Sequence, residues 1–104
     1  MSINPSINDL RSNLELACQP QNAGLIVQGR SRVLALPREW VLEHIEPVAT
    51  AALNLSDEWE YRRLLELAEL LDPGLLERFV SLGLGDPDPD VHEAAEDFKS
   101  EPSG

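Results

Sequence analysis

The longest uninterrupted helical pattern in the chain runs from Ser56 to Leu71, SDEWEYRRLLELAELL. Tyr61, Leu64, Leu65, Ala68 and Leu71 recur at spacings of three and four, and Leu67 and Leu70 widen the stripe. One narrow polar strip remains, Glu58, Arg62, Glu66 and Glu69, in which the first three alternate in charge four residues apart. Ser56 or Asp57 suits the cap, because an oxygen side chain accepts from the free N–H groups of the first turn. The early acids Asp57, Glu58 and Glu60 also suit the positive end of the helix dipole. A helix with so little polar surface must be covered on more than one side. It is therefore expected at the centre of the fold.

The same periodicity predicts further helices on either side. Ser6 to Cys18 places Ile7, Leu10, Leu14 and Ala17 or Cys18 on one face, with Ser6 as cap and Asp9 at its third position. Gln19 to Gly24 is dense in turn formers and reads as a loop. Leu25 to Val27 and Arg32 to Leu36 are short apolar runs around Gln28-Gly29-Arg30-Ser31, a β-hairpin pattern in which Gly29 would supply positive φ. Pro37 opens a helix carrying Trp40, Val41, Leu42 and Ile45, which Pro47 interrupts; Val48 to Leu55 is then a separate short helix. After Asp72-Pro73-Gly74, a helix bearing Leu75, Leu76, Phe79, Val80 and Leu82 is closed by Gly83 or Gly85. Asp88 caps a last helix that Pro89 starts, with Val91, Ala94, Ala95 and Phe98 as its apolar face.

The whole chain, 1–104, reads as one domain. Residues 1–5 are expected to be frayed, 6–36 to form the N-terminal helix and hairpin, 37–99 a helical body, and 100–104 a polar tail. Within 46–98 the halves echo each other: Glu46-Pro47 and Asp72-Pro73 each open a short apolar helix followed by an acidic turn and a second helix. Tyr61, Leu64 and Leu65 fall 30 residues before Val91, Ala94 and Ala95. Helix pairs at such a period bury their faces against one another in a solenoid. The segment Asp88-Pro89-Asp90-Val91-His92-Glu93-Ala94-Ala95 resembles the HEAT-like repeat family, whose second helix opens with an aspartate–proline turn and a Val-Arg-x-x-Ala pattern. His92 stands where that family often has arginine. The resemblance implies a mainly α fold of antiparallel helical hairpins, about two pairs, capped by the N-terminal helix and hairpin.

Charge alters this picture more than any motif does. The chain has a formal net charge of −11, and residues 57–104 hold 14 of its 19 acids against Arg62, Arg63, Arg78 and Lys99. A field of that sign repels phosphate backbones and membrane surfaces and attracts basic partners. Direct nucleic-acid binding and membrane binding are not expected, and no stretch approaches the roughly 20 apolar residues of a membrane span. The N-terminal residues carry no basic region followed by an apolar run, which points to the cytoplasm.

Catalytic chemistry is hard to place in these residues. Asp86, Asp88, Asp90 and Asp97 have the alternation of a calcium loop, but Val91 occupies the position that needs glycine and two prolines stiffen the segment. His44 and His92 stand singly, without the spacing of a zinc ligand pair or a general base. Cys18 has no basic neighbour in sequence to activate it. No metal, no cofactor and no enzymatic activity are therefore expected. Trp59 stands among Asp57, Glu58 and Glu60, either stapling its turn onto the preceding helix or serving as an aromatic anchor within an acidic rim. With Asp86, Asp88, Asp90 and Glu93, these residues form the candidate partner-binding set.

In size and acidity the chain is similar to the immunity proteins of bacterial polymorphic toxin systems. That resemblance implies an immunity protein or antitoxin that neutralises a basic toxin or effector by direct binding. Two other functions fit the composition: a helical scaffold or adaptor that holds a peptide, and a DNA mimic that lines up carboxylates in place of phosphates.

Overall fold

A computed structural model describes residues 5–19 and 21–99. The expectations for residues 1–4, Pro20 and 100–104 lie outside the described residues. Six α-helices follow in order: α1 Ile7–Ala17, α2 Ala23–Ala35, α3 Arg38–Ala52, α4 Glu58–Leu71, α5 Pro73–Leu84 and α6 Pro89–Phe98. The described chain is mainly helical, and no strand occurs among the described residues.

The expected hairpin at 25–36 is overturned, because that segment is the body of α2. Asn22 starts the helix from a left-handed backbone (φ 77°), its side chain accepting from the Leu25 N–H at 3.2 Å. The helix buries Ile26, Gly29 and Val33, a spacing of three and four that two short strands cannot reproduce. Gly29 is needed for closeness rather than for a turn. A Cβ on it would stand 2.4 Å from the Ala17 nitrogen and 2.7 Å from the Asn13 carbonyl oxygen, so α2 crosses α1 backbone against backbone.

Pro47 likewise does not divide its segment. It lies inside α3, which runs unbroken to Ala52 and buries Val41, Ile45, Val48 and Ala49. Proline removes one N–H from the helix ladder, and packing of that continuous face holds the helix through the gap. Glu46-Pro47 therefore opens no helix, and the echo with Asp72-Pro73 is limited to the residues after it.

The helix ends follow the capping residues. Ser6 Oγ accepts from the Asp9 N–H at 3.1 Å. Asp57 accepts from the Trp59 and Glu60 N–H groups, and Asp88 from those of Asp90 and Val91. Asp72 both ends α4, through its N–H to the Ala68 carbonyl, and starts α5, through its carboxylate to the Leu75 N–H. One residue thus turns the chain between two packed helices.

Helix α4 buries six of its 14 residues, more than any other helix, and packs on α1, α5 and α6. Helix α1 packs on α2 and α3, so α1 and α4 join the two halves through one continuous core. Three members of the expected apolar faces stay outside: Ile7, Leu70 and Leu82 are exposed, the last two by more than half.

Candidate functional site

The two acidic clusters expected to bind a partner meet at one end of the molecule. Ser56, just before α4, donates its hydroxyl to Asp86 Oδ2 at 3.2 Å in the α5–α6 turn. Arg62 of α4 holds Glu58 and Asp97 of α6, both at 3.0 Å. Burial works against the Arg62 charge, but its bonds to those two carboxylates outweigh that and raise its pKa. The expected pairing of Arg62 with Glu66 gives way here, since Glu66 is taken by Arg63 and Arg30.

The acids divide by what they already hold. Asp57 and Asp88 are helix caps and half-buried, so part of their charge is spent on the N–H groups they accept from. Asp86 accepts from the Asp88 N–H at 2.8 Å as well as from Ser56. Glu58 is paired with Arg62. Glu60 lies apart from the cluster: it accepts from the Asn54 N–H, and its charge bears on Cys18. Asp90 and Glu93 are exposed, and their carboxylates have no hydrogen-bond or salt-bridge partner among the described residues. Glu96, which the sequence reading did not single out, shares that outer face of α6 and that freedom. Its signal was available: it follows Glu93 by three residues on the side opposite Val91 and Ala95.

Trp59 is 53% exposed and lies outside the hydrophobic core. About 100° of helix rotation per residue sets it beside Arg63 and Glu66 rather than beside Glu58. It thus stands between the acidic end and the Arg30–Glu66–Arg63 cluster. Trp40, by contrast, is half-buried, its ring 4.7 Å from that of His44, whose Nδ1 lies 2.8 Å from the Trp40 carbonyl oxygen.

Two surface depressions lie at opposite ends of α4. One, of about 200 Å³, is lined by Thr50, Leu55, Tyr61, Leu82, Gly83 and Asp86 and borders the acidic end. The other, of about 300 Å³, lies between the end of α2 and the end of α4, walled by Leu34, Leu36, Leu70 and the Arg38–Asp72 pair. Cys18 is buried, and its thiol is pushed up to about 12 by that burial and by Glu60, against the pull of Arg30. It is the protonated form of a packed side chain. Among the described residues no three His, Cys, Asp or Glu side chains are grouped as metal ligands would be, and Asp86 and Asp88 are occupied as turn and cap. No helix among them is long and apolar enough to cross a membrane.

No family model matches this sequence, and neither curated proteins nor solved structures give a match.

Proposed function

We propose that the protein is a non-catalytic binder of a basic protein, in the specific form of an immunity protein or antitoxin that neutralises a toxin by contact. The observation that carries this reading is the outer face of α6. Asp90, Glu93 and Glu96 are exposed there, their carboxylates without partners among the described residues, on the helix that follows Asp86 and Asp88 and is joined to the start of α4 through Ser56. Acids kept only for solubility are best spread and mixed with bases; this face gathers one sign at one end. Such a field steers a cationic partner and speeds its association about 10- to 1,000-fold at low salt. Held contact then falls to the exposed Trp59 and, separately, to the pocket that Asp86 borders.

A scaffold or adaptor role has its own support in the groove of Leu34, Leu36 and Leu70, which lies at the opposite end of α4 from Asp57 and Glu58, is rimmed by Glu69 and the Arg38–Asp72 pair, and offers its leucines to a peptide. In either role we read α5 and α6, each opened by an Asp-capped proline, as a HEAT-like hairpin.

Reversing Asp90, Glu93 and Glu96 to lysine tests the choice. None of the three is buried, so folding should survive. Capture of a basic partner, beginning with the product of the adjacent gene, should be lost with the reversal and weakened by salt in the wild type. Unchanged capture by the reversed protein would overturn the electrostatic reading and favour the groove.

A further inference from the structure

The pocket over Tyr61 combines features that the caps and ion pairs elsewhere do not. Tyr61 lines it, held in place by a hydroxyl that donates to the Phe79 carbonyl at 2.6 Å. Its walls are Leu55, the half-exposed Leu82 and the backbone of Gly83. At its mouth stands the half-buried Asp86. Most other half-buried acids have a cation: Glu46 holds Arg78, Glu58 holds Arg62, Glu66 holds Arg30 and Arg63, and Asp72 holds Arg38, while Glu60 accepts from the Asn54 N–H away from this pocket. Asp57 and Asp88 sit instead at the positive ends of α4 and α6.

Asp86 has no arginine or lysine within salt-bridge distance among the described residues, although it is as firmly oriented as any of them. The Asp88 N–H holds one carboxylate oxygen and the Ser56 hydroxyl the other. Each of those oxygens keeps a further lone pair for a second donor.

A fixed, uncompensated carboxylate over an apolar pocket suits one kind of side chain: a long apolar stem ending in a cation. We propose that this pocket receives a single arginine of a basic protein partner. Its stem would lie on Leu55, Leu82 and the Gly83 backbone, and its guanidinium would meet both oxygens of Asp86. Arginine fits better than lysine because its planar fork matches a carboxylate whose orientation is already set. A volume of about 200 Å³ admits one side chain and not a helix or strand. The assignment rests on the reading of the acidic end as a surface for a basic protein, and names the anchor within it.

Two probes keep the two ideas separable, both followed by amide NMR shifts on the whole chain. N-acetyl-arginine methylamide tests the pocket, and a nona-arginine peptide tests the acidic surface. The arginine derivative should give saturable shifts at Leu82, Gly83 and Asp86 and at the Tyr61 ring, with the lysine derivative weaker and the norleucine derivative inert. Asp86→Asn should weaken the arginine derivative at least about fivefold, while its spectrum stays that of the folded protein. Nona-arginine should still bind that variant in a salt-dependent way. If the derivative shifts only exposed α6 residues, or binds Asp86→Asn equally, the pocket assignment falls and the acidic-surface reading stands. If nona-arginine fails to bind the wild type, both fall.

Discussion

Tyr61 of α4 occupies the space that a side chain at position 83 of α5 would need. A Cβ on Gly83 would stand 2.1 Å from the Tyr61 hydroxyl oxygen and 2.4 Å from its Cζ, while that hydroxyl donates to the Phe79 carbonyl one turn earlier. The glycine sets how closely α4 and α5 approach, and the tyrosine locks the distance. Gly83→Ala should therefore cost about 1–3 kcal/mol or more through overpacking. Tyr61→Phe should cost about 1 kcal/mol through the lost hydrogen bond. The two changes share one contact, so urea titrations of the single and double variants should show non-additive losses. Strict additivity would mean the helices do not meet there.

Gly29 makes the corresponding contact between α2 and α1, but against backbone, which cannot move aside. Gly29→Ala should destabilise by at least about 2 kcal/mol. Gly24, in the first turn of α2, has only Asn22 Oδ1 within reach, at 3.7 Å. Gly24→Ala should raise stability by about 0.4–1 kcal/mol by narrowing the unfolded ensemble. A tolerant position 29 in thermal denaturation would count against the helical crossing.

The alkaline limb of stability should belong to two buried groups. Burial, with Glu60, pushes the Cys18 thiol from 9.0 up to about 12. Burial likewise pushes the Tyr61 hydroxyl from 10.0 up to about 12, a backbone bond from Gly83 opposing and the charge of Asp86 adding to it. Both groups keep their protons in the folded chain after the unfolded chain has released them. Their contribution is thus intact below pH 9 and is lost as pH rises through 9 to 12. Denaturant midpoints measured from pH 8 to 11 should fall, with the onset moving toward pH 10 in Cys18→Ala. At pH 8 a thiol reagent should modify Cys18 only in denaturant.

Trp59 and Trp40 should separate cleanly in solution. Trp59 is exposed and lies outside the core, so Trp59→Ala should change stability by no more than about 0.5 kcal/mol. Trp40 packs against the core and His44, and its truncation should cost several times as much. Acrylamide should quench the Trp40→Phe protein strongly and the Trp59→Phe protein weakly. Equal quenching would place Trp59 against another surface.

Helix α4 was legible because its apolar residues outnumber its polar ones on nearly every side, and one packing answer satisfies such a surface. The caps at Ser6, Asp57 and Asp88 were legible too, since each acts within three residues of itself. The acidic end was readable as composition, and Asp90 and Glu93 as its members. That Glu60 points away from it, toward Asn54 and Cys18, depends on how α4 is rotated against α1, and no local pattern records that angle.

By itself, then, the sequence determined helix content after residue 37, the caps, the central place of α4 and the sign of the surface, because all of these arise from period, propensity and charge count. Tertiary structure decided the rest. It made residues 25–36 a helix, because the close approach of α2 to α1 rewards a glycine that local chemistry reads as a turn. It carried α3 through Pro47, because four buried side chains on one face offset a missing N–H. It also brought Asp86 to Ser56 across 30 residues of chain, making a pocket mouth from an acid that in sequence belongs only to a turn.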